Sequence, residues 1–485
     1  MYVGLDLGTS GLRALLVDGG GQMLGEAETA FGTMHPRPGW SEQAPKSWIE
    51  ACRIVMSGLE RDHPGAVESV RGIGISGHMH GATLLDEDGV ALRPCILWND
   101  TRSSEEAARL DAIPRMREIT GNIVFPGFTA PKLEWVRLHE PEIFRRTARV
   151  LLPKDFLRLW LTGEYFSDMS DSAGTSWLDV GSRAWSDEAL KLTHMRRDQM
   201  PELREGVDRG GNLRRSLCRE WGIAGPVCIA GGAGDNAAAA CGVGCLAEGT
   251  GFVSLGTSGV VLAARDSFSP SPETAVHTFC HAVPGRWYQM GVMLAATDCL
   301  NWLSRVSGRS PAQLAESLPD RIDGPSSLAF LPYLSGERTP HNDATIRGVF
   351  AGIDVSMGTE TLTRAVMEGV AFALRDCIEA LRSTGARLET TLAVGGGSRS
   401  RFWLETISTI LGVTLSLPKG QDLGAALGAA RMAICADTGA DPGDVMVTPE
   451  IRETIHPRAE LVEAYEAGYR RFRSLYGSAQ PGPAA

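Results

Sequence analysis

The pentapeptide Leu-Gly-Thr-Ser-Gly stands twice in this chain of 485 residues, at 7–11 and again at 255–259, about half a chain length apart. Apolar Val3, Leu5 and Leu7 alternate into the first copy, and "LRALLV" continues after it; "GFVS" and "VVLAA" flank the second. Period-two alternation interrupted by a glycine bend reads as strand–turn–strand, so the repeated unit is a whole hairpin. A hairpin duplicated at half length predicts two similarly built lobes. Chain length agrees, because single cores stop growing beyond roughly 250–300 residues. The second hairpin opens its lobe near 237–250, which gives lobes over 1–237 and 238–476. The polar, Pro/Gly-rich residues 477–485 read as a frayed tail.

Helices alternate with the strands. "PKSWIEACRIVMSGLE" (45–60) reads as a helix, "VRGIGIS" (70–76) as a strand, and "VCIAGGAGDNAAAACGVG" as strand, glycine turn and a helix starting near Asp235. Leu362, Val366, Val370, Leu374, Ile378 and Leu381 recur at helical spacing, with Gly385 as the stop. "TLAVGGGSRSRFWLETISTILG" gives strand, triple glycine and a helix closed by Gly412, and "DLGAALGAARMAI" a helix with one side of Gly and Ala. Such alternation means an α/β protein.

Glycine bends let backbone amides approach an anion, and Thr and Ser add hydroxyl donors. Thr9, Ser10 and Gly11 in one copy, with Gly256, Thr257 and Ser258 in the other, are therefore candidates to grip a polyphosphate from both sides. Neither copy fits GxGxxG or GxxxxGK[ST], which disfavours a Rossmann or Walker site. Only the first copy follows an aspartate, Asp6. A carboxylate beside phosphates repels them unless a cation lies between, so Asp6 is either a Mg²⁺ holder or the anchor of a turn. Asp235 is either the N-cap of its helix or a general base, with Asn236 beside it. Gly396 and Gly397 form a strand-to-helix turn that can also present amides to a ligand. The loops "SGHMHGAT" and "ILWNDTR" supply His78, Met79, His80, Trp98, Asn99, Asp100 and Arg102, a set suited to a hydroxyl-rich ligand. His78 and His80 lack partners at zinc spacing, and His277 and His281 lack the Glu of HExxH, so these histidines read as structural.

A net charge of −11 argues against nucleic-acid or anionic-membrane binding. Ten cysteines occur without a CxxC pair, and Cys241 and Cys245 read as a reduced pair. With no signal-like start and no apolar run of about 18 residues, a cytoplasmic protein is expected.

Taken together, "GLDLGTSGLRALLVD", "FVSLGTSGVV", "LAVGGGSRSRFW", "GFTAPKLEWV" and "RGVFAGI" resemble the phosphate, adenosine and signature segments of the FGGY family of carbohydrate kinases, over nearly the whole chain. The resemblance implies a duplicated actin-like (ribonuclease H-like) ATPase fold with a cleft between two lobes. It implies ATP and Mg²⁺ as co-substrate and cofactor. Within the family, "SGHMHGATLLD", "RPCILWNDTR", "LLPKDFLRLWLTGE", "SDMSDSAGTSWLDV" and "FLPYLSGERTPHN" resemble members whose acceptor is D-xylulose, which implies phosphorylation at its 5-hydroxyl. Another ketose, a polyol or a sugar acid is the alternative acceptor, and an actin- or chaperone-like ATPase binding module the distant alternative. By matching position, Asp235 is the expected base and Asp6 the aspartate near Mg²⁺. Met79 and His80, with Trp98, Asp100 and Asn236, are expected to contact sugar. Thr9, Ser10, Gly11, Arg13, Gly256, Thr257 and Ser258 are expected along the phosphates, and Gly396 and Gly397 at the adenosine. A homodimer is compatible with the family. Arg13 replaces a lysine and His78 a glutamine of the family pattern.

Overall fold

The computed structural model describes residues 1–419 and 424–479. Its two central sheets repeat one plan. In the first, β1 (Tyr2–Leu7) and β2 (Gly11–Val17) form the expected hairpin, with β3 (Met23–Ala30) antiparallel outside β2. On the other side β4 (Gly72–Gly77) runs parallel to β1, and β5 (Cys228–Ala230) parallel to β4. In the second, β6 (Gly249–Leu255), β7 (Gly259–Arg265), β8 (Trp287–Met293), β9 (Leu388–Val394) and β10 (Leu415–Pro418) take the same order and directions. Even the outer strands correspond, since Arg209–Asn212 and Ile451–Ile455 each pair antiparallel with the fifth strand. The repeat read from five letters is thus a repeat of six strands; His277–Cys280, antiparallel outside β8, has no counterpart in the first sheet.

The helices follow the periodicity. α1 (Pro45–Asp62) buries Trp48, Ala51, Cys52, Val55, Met56 and Leu59 on one face. α2 begins at Asp235 and runs to Val243; α3 (Thr359–Ser383) is the long apolar helix. α4 (Arg401–Leu411) closes at Gly412, whose φ of 65° is left-handed. α5 (Ala425–Thr438) matches the Gly/Ala-rich segment, of which Asp422 and Leu423 lie outside the described residues. α6 (Val462–Ala479) extends into the segment expected to fray from 477, and 480–485 lie outside the described residues.

Glycine decides how the halves join. A Cβ on Gly4 or Gly74 would stand 1.8 Å from the carbonyl oxygen of Ala426 or Ala429, so α5 lies directly on β1 and β4 of the first sheet. Gly428 sits equally close to the Ala238 carbonyl oxygen, where α5 crosses α2. A helix entered from the second sheet therefore covers the first. Among the described residues no helix is long and apolar enough to cross a membrane.

Candidate active site

The first bend is held from three directions. Trp98 Nε1 donates to Thr9 Oγ1 (2.9 Å), Gln43 Nε2 donates to the Thr9 carbonyl (2.6 Å), and Gln43 is itself fixed by Trp48 Nε1 (3.0 Å). The Phe31 amide donates to the Ser10 carbonyl (3.0 Å). The Ser10 side chain stays exposed, so its hydroxyl faces open space. A cleft of about 380 Å³ opens here, lined by Asp6, Gly8, Ser10, Gly11, Arg13 and neighbours on β3. Arg13 reaches Glu26 across the hairpin.

The second bend docks on a helix start. The amides of Ala296 and Thr297 donate to the carbonyls of Thr257 (2.8 Å) and Gly256 (3.0 Å), which leaves the Thr257 and Ser258 side chains exposed. The triple glycine packs against the same hairpin. Gly395, at φ 89°, has room for no Cβ because the Leu255 backbone lies 2.8 Å from where it would stand. Gly397 is pressed on the Leu255 side chain, whereas Gly396 faces open space. Candidate adenosine and phosphate segments are thereby joined into one surface.

Asp6, next to last on β1, lies beside Ser76 of β4, whose Oγ donates to Asp6 Oδ1 (2.7 Å). Burial raises the Asp6 pKa against the opposing effects of Ser76 and Arg13. Asp235 is the first residue of α2, but the cap position belongs to Gly234 and no side chain caps it. The alternative N-cap role for Asp235 is therefore not the one it plays. Its Oδ1 accepts the Asn236 amide (2.7 Å) and Asn236 Nδ2 (2.8 Å), and among the described residues Oδ2 has no hydrogen-bond partner. Burial first, and then the charge of Asp6, push the Asp235 pKa up to about 6. Asp6 lines the cleft, and its charge is felt by Asp235, so the two carboxylates form a donor set suited to a divalent cation.

The sugar-side loop continues from β4. Met79 packs its thioether against Gly234, where a Cβ would lie 2.8 Å from Cγ. His80 takes φ 71°, with Nδ1 2.7 Å from the Gly174 carbonyl and its ring stacked 4.6 Å from Phe128. Burial lowers its pKa to about 3, so the ring is neutral at physiological pH. Trp98 is 44% exposed and offers its face.

Asp100 differs from that group. It is buried, and its carboxylate accepts from the amides of Ser41 (2.6 Å) and Arg102 (2.9 Å) and from the Arg102 guanidinium (2.7 and 2.9 Å). All of these bonds point into the protein, so Asp100 shapes the Trp98 loop and presents no free acceptor to a ligand.

Residues of the second half pack around this loop, and sequence reading missed them. Tyr288 Oη lies 3.9 Å from Met79 Sδ, and the Phe279 ring lies 6.2 Å from His80. Arg338 extends over the Phe125 ring (4.4 Å) to His277 Nε2 (3.4 Å). No spacing rule links these positions to residue 80; only the packing of the second half against the Met79–His80 loop does. His281 bonds the Cys245 carbonyl (3.1 Å), and the ten cysteines are free thiols.

Paired sheets of one topology, with a glycine bend and an aspartate at the seam, define the duplicated actin-like ATPases, a class of two-lobed phosphoryl-transfer machines. The family models for the N-terminal and C-terminal domains of the FGGY family of carbohydrate kinases match residues 1–242 and 251–436. The chain belongs to that family, whose members use ATP as co-substrate to phosphorylate sugars. It is 45% identical to the xylulose kinase of Escherichia coli K12 over 99% of both chains. The crystal structure of a xyloylose kinase from Brucella ovis is 55% identical, with a TM-score of 0.97 over 98% of this chain and 99% of that one. Xylulose kinase from Rhodospirillum rubrum is 28% identical, with a TM-score of 0.90 over 98% of each chain.

Proposed function

We propose that this carbohydrate kinase transfers the γ-phosphoryl group of Mg-ATP to the 5-hydroxyl of D-xylulose. Asp235 accepts the hydroxyl proton, the sugar oxygen bonds to the γ-phosphorus, the bond from that phosphorus to the β–γ bridging oxygen breaks, and ADP leaves. The observation that carries the chemistry is the Asp235 carboxylate itself. It has one oxygen engaged by Asn236, stands next to the Met79 loop, and has a pKa raised to about 6. A base that is ionised at neutral pH yet close to that range takes up a proton effectively. The curated relatives named xylulose kinase, similar over the whole chain, support the choice of sugar.

Each half has its part. Thr9, Ser10 and Gly11 meet the phosphates from one side and Thr257 and Ser258 from the other, while Gly396 and Gly397 approach the adenosine. Asp6, with Asp235 nearby, would hold the Mg²⁺ that accompanies ATP; the ion supplies charge neutralisation for the transferring group. His80, neutral and fixed by Gly174, hydrogen-bonds sugar hydroxyls, and Trp98 covers a carbon face. The lobes 1–237 and 238–476 close on the ligands. A cytoplasmic location and a homodimer fit the same reading.

The test is ADP release measured with D-xylulose, D-ribulose, L-fuculose, gluconate and glycerol as acceptors. D-xylulose is expected to give the highest kcat/KM by at least tenfold. A higher value for any other acceptor moves the assignment to that sugar.

A further inference from the structure

Beneath the turn that carries Asp235 lies a cluster of five ionisable side chains, Lys154, Asp155, Arg158, Asp168 and Asp171, all with 0% side-chain exposure. Lys154 Nζ lies 2.5 Å from Asp155, 2.6 Å from Asp168 and 3.2 Å from Asp171, so it occupies the centre that three carboxylates would otherwise offer to a metal. Arg158 joins through Asp155 (2.5 Å). Removing such groups from water is expensive, and an apolar core of similar volume is often as stable or more so. Stability alone therefore does not account for the cluster; what it holds in place does.

Besides its bonds to Phe166 and Ser167, the cluster reaches both ends of one turn. Arg158 donates to the Gly231 carbonyl, at the start of the glycine turn. At the other end Ser170 Oγ accepts the Gly234 amide (3.1 Å), while the same hydroxyl donates to Asp168 Oδ2 (2.5 Å), whose other oxygen faces Lys154. Gly234 is the residue from which α2 and Asp235 spring, and Met79 packs on its other side. The amides of Ser170 and Asp171 also donate to Asp168 Oδ2 (2.7 and 3.2 Å), so the serine cannot shift without its whole turn moving.

We propose that Ser170 is a positioning residue for the catalytic base: backed by Asp168 and Lys154, its hydroxyl fixes the Gly234 amide and so the point from which Asp235 meets the sugar hydroxyl. This rests on Asp235 being the base. A bound near-attack geometry is sensitive to displacements of about 1 Å, which can cost on the order of 10²-fold in rate. Loss of one neutral clamp at the base should act on kcat and leave nucleotide binding alone.

The experiment compares the full-length enzyme with Ser170→Ala, Ser170→Thr, Asp235→Asn and the double variant Ser170→Ala/Asp235→Asn. For each, kcat, the KM for both substrates and the melting temperature are measured. Ser170→Ala should lower kcat about 10- to 100-fold with KM for ATP within twofold. Ser170→Thr, which keeps the hydroxyl, should recover kcat to within about fivefold of wild type. In the double variant the serine effect should largely vanish, because there is no base left to position. A Ser170→Ala enzyme with near-normal kcat, or one whose loss is equally large in the Asp235→Asn background, overturns the proposal. Should Ser170→Ala not melt cooperatively, the recovery by Ser170→Thr decides, and a threonine enzyme that folds but stays as slow as Asp235→Asn also overturns it. Near-normal turnover by Asp235→Asn, by contrast, removes the base assignment itself.

Discussion

Asp235 combines two environments that pull in opposite directions. Burial and the charge of Asp6 favour its protonated form, while Asn236 bonds the ionised one, and the balance lies at about 6. A base must be ionised to act, so kcat/KM should fall as pH drops through about 6, tenfold per unit further down. The folded pKa lies above the ordinary 3.8, so the ligand-free protein gains stability from protonation. That gain is full below about pH 4 and lost as pH rises through about 6. Asp6→Asn removes the neighbouring charge, so on its residual activity the acid limb should move to lower pH. The same variant should also need more Mg²⁺ for half-maximal turnover. Steady-state rates between pH 4.5 and 8 check both effects; an unmoved limb together with unchanged metal dependence would count against the placement of Asp6. Asp235→Asn should cost roughly two to four decades in kcat, the usual size of a general-base contribution, while ATP binding by calorimetry stays nearly intact.

At the scale of elements, the close contact of α5 with the first sheet depends on glycine at two strand positions. A methyl group on Gly74 would overlap the Ala429 carbonyl at 1.8 Å, and that atom is backbone that no rotamer can clear. Gly74→Ala should therefore destabilise by about 3 kcal/mol, the upper part of the range for overpacking, and Gly4→Ala similarly. Gly65→Ala, with open space around the new methyl, is the control and should stay within about 1 kcal/mol. Urea unfolding measures all three; a Gly74→Ala protein as stable as the control would mean that α5 sits farther from β4. What the sequence made legible follows the same division. Hairpins, helix limits and the glycine stops at 385 and 412 are local patterns, and each appears where the spacing puts it. The Gly/Ala side of α5 was visible as composition, but not the sheet it would cover, because that partner lies about 420 residues earlier at Gly4 and about 350 earlier at Gly74. Asp100 shows a related limit: its sequence places a charged residue in a loop, and only the fold shows Ser41 and Arg102 bonding its carboxylate. Lys154 and Asp168 gave no signal, since buried ion clusters have no periodicity.

For the whole molecule, the path of α5 means that the first lobe is not complete within the first half of the chain. The strands of its sheet are all present by residue 234, and α2 by 243, yet the backbone of β1 and β4 at Gly4 and Gly74 meets residues 426–430 of α5. Leu427, Met432 and Ile434 on that helix are buried at 7%, 0% and 4% exposure. At roughly 1.5–3 kcal/mol for each fully buried side chain, they represent several kcal/mol, a large part of the 5–15 kcal/mol that a domain commonly has. A fragment of residues 1–248 should therefore lack a cooperative thermal transition, although it contains every strand of its sheet. The full chain should unfold in one calorimetric step whose calorimetric and van't Hoff enthalpies agree. α5 thus belongs to the first sheet by packing and to the second by connection, since it follows β10 and lies on β1 and β4. A fragment 1–248 that melts sharply near the temperature of the whole protein would show the two lobes to be independent, and would remove α5 from the core of the first.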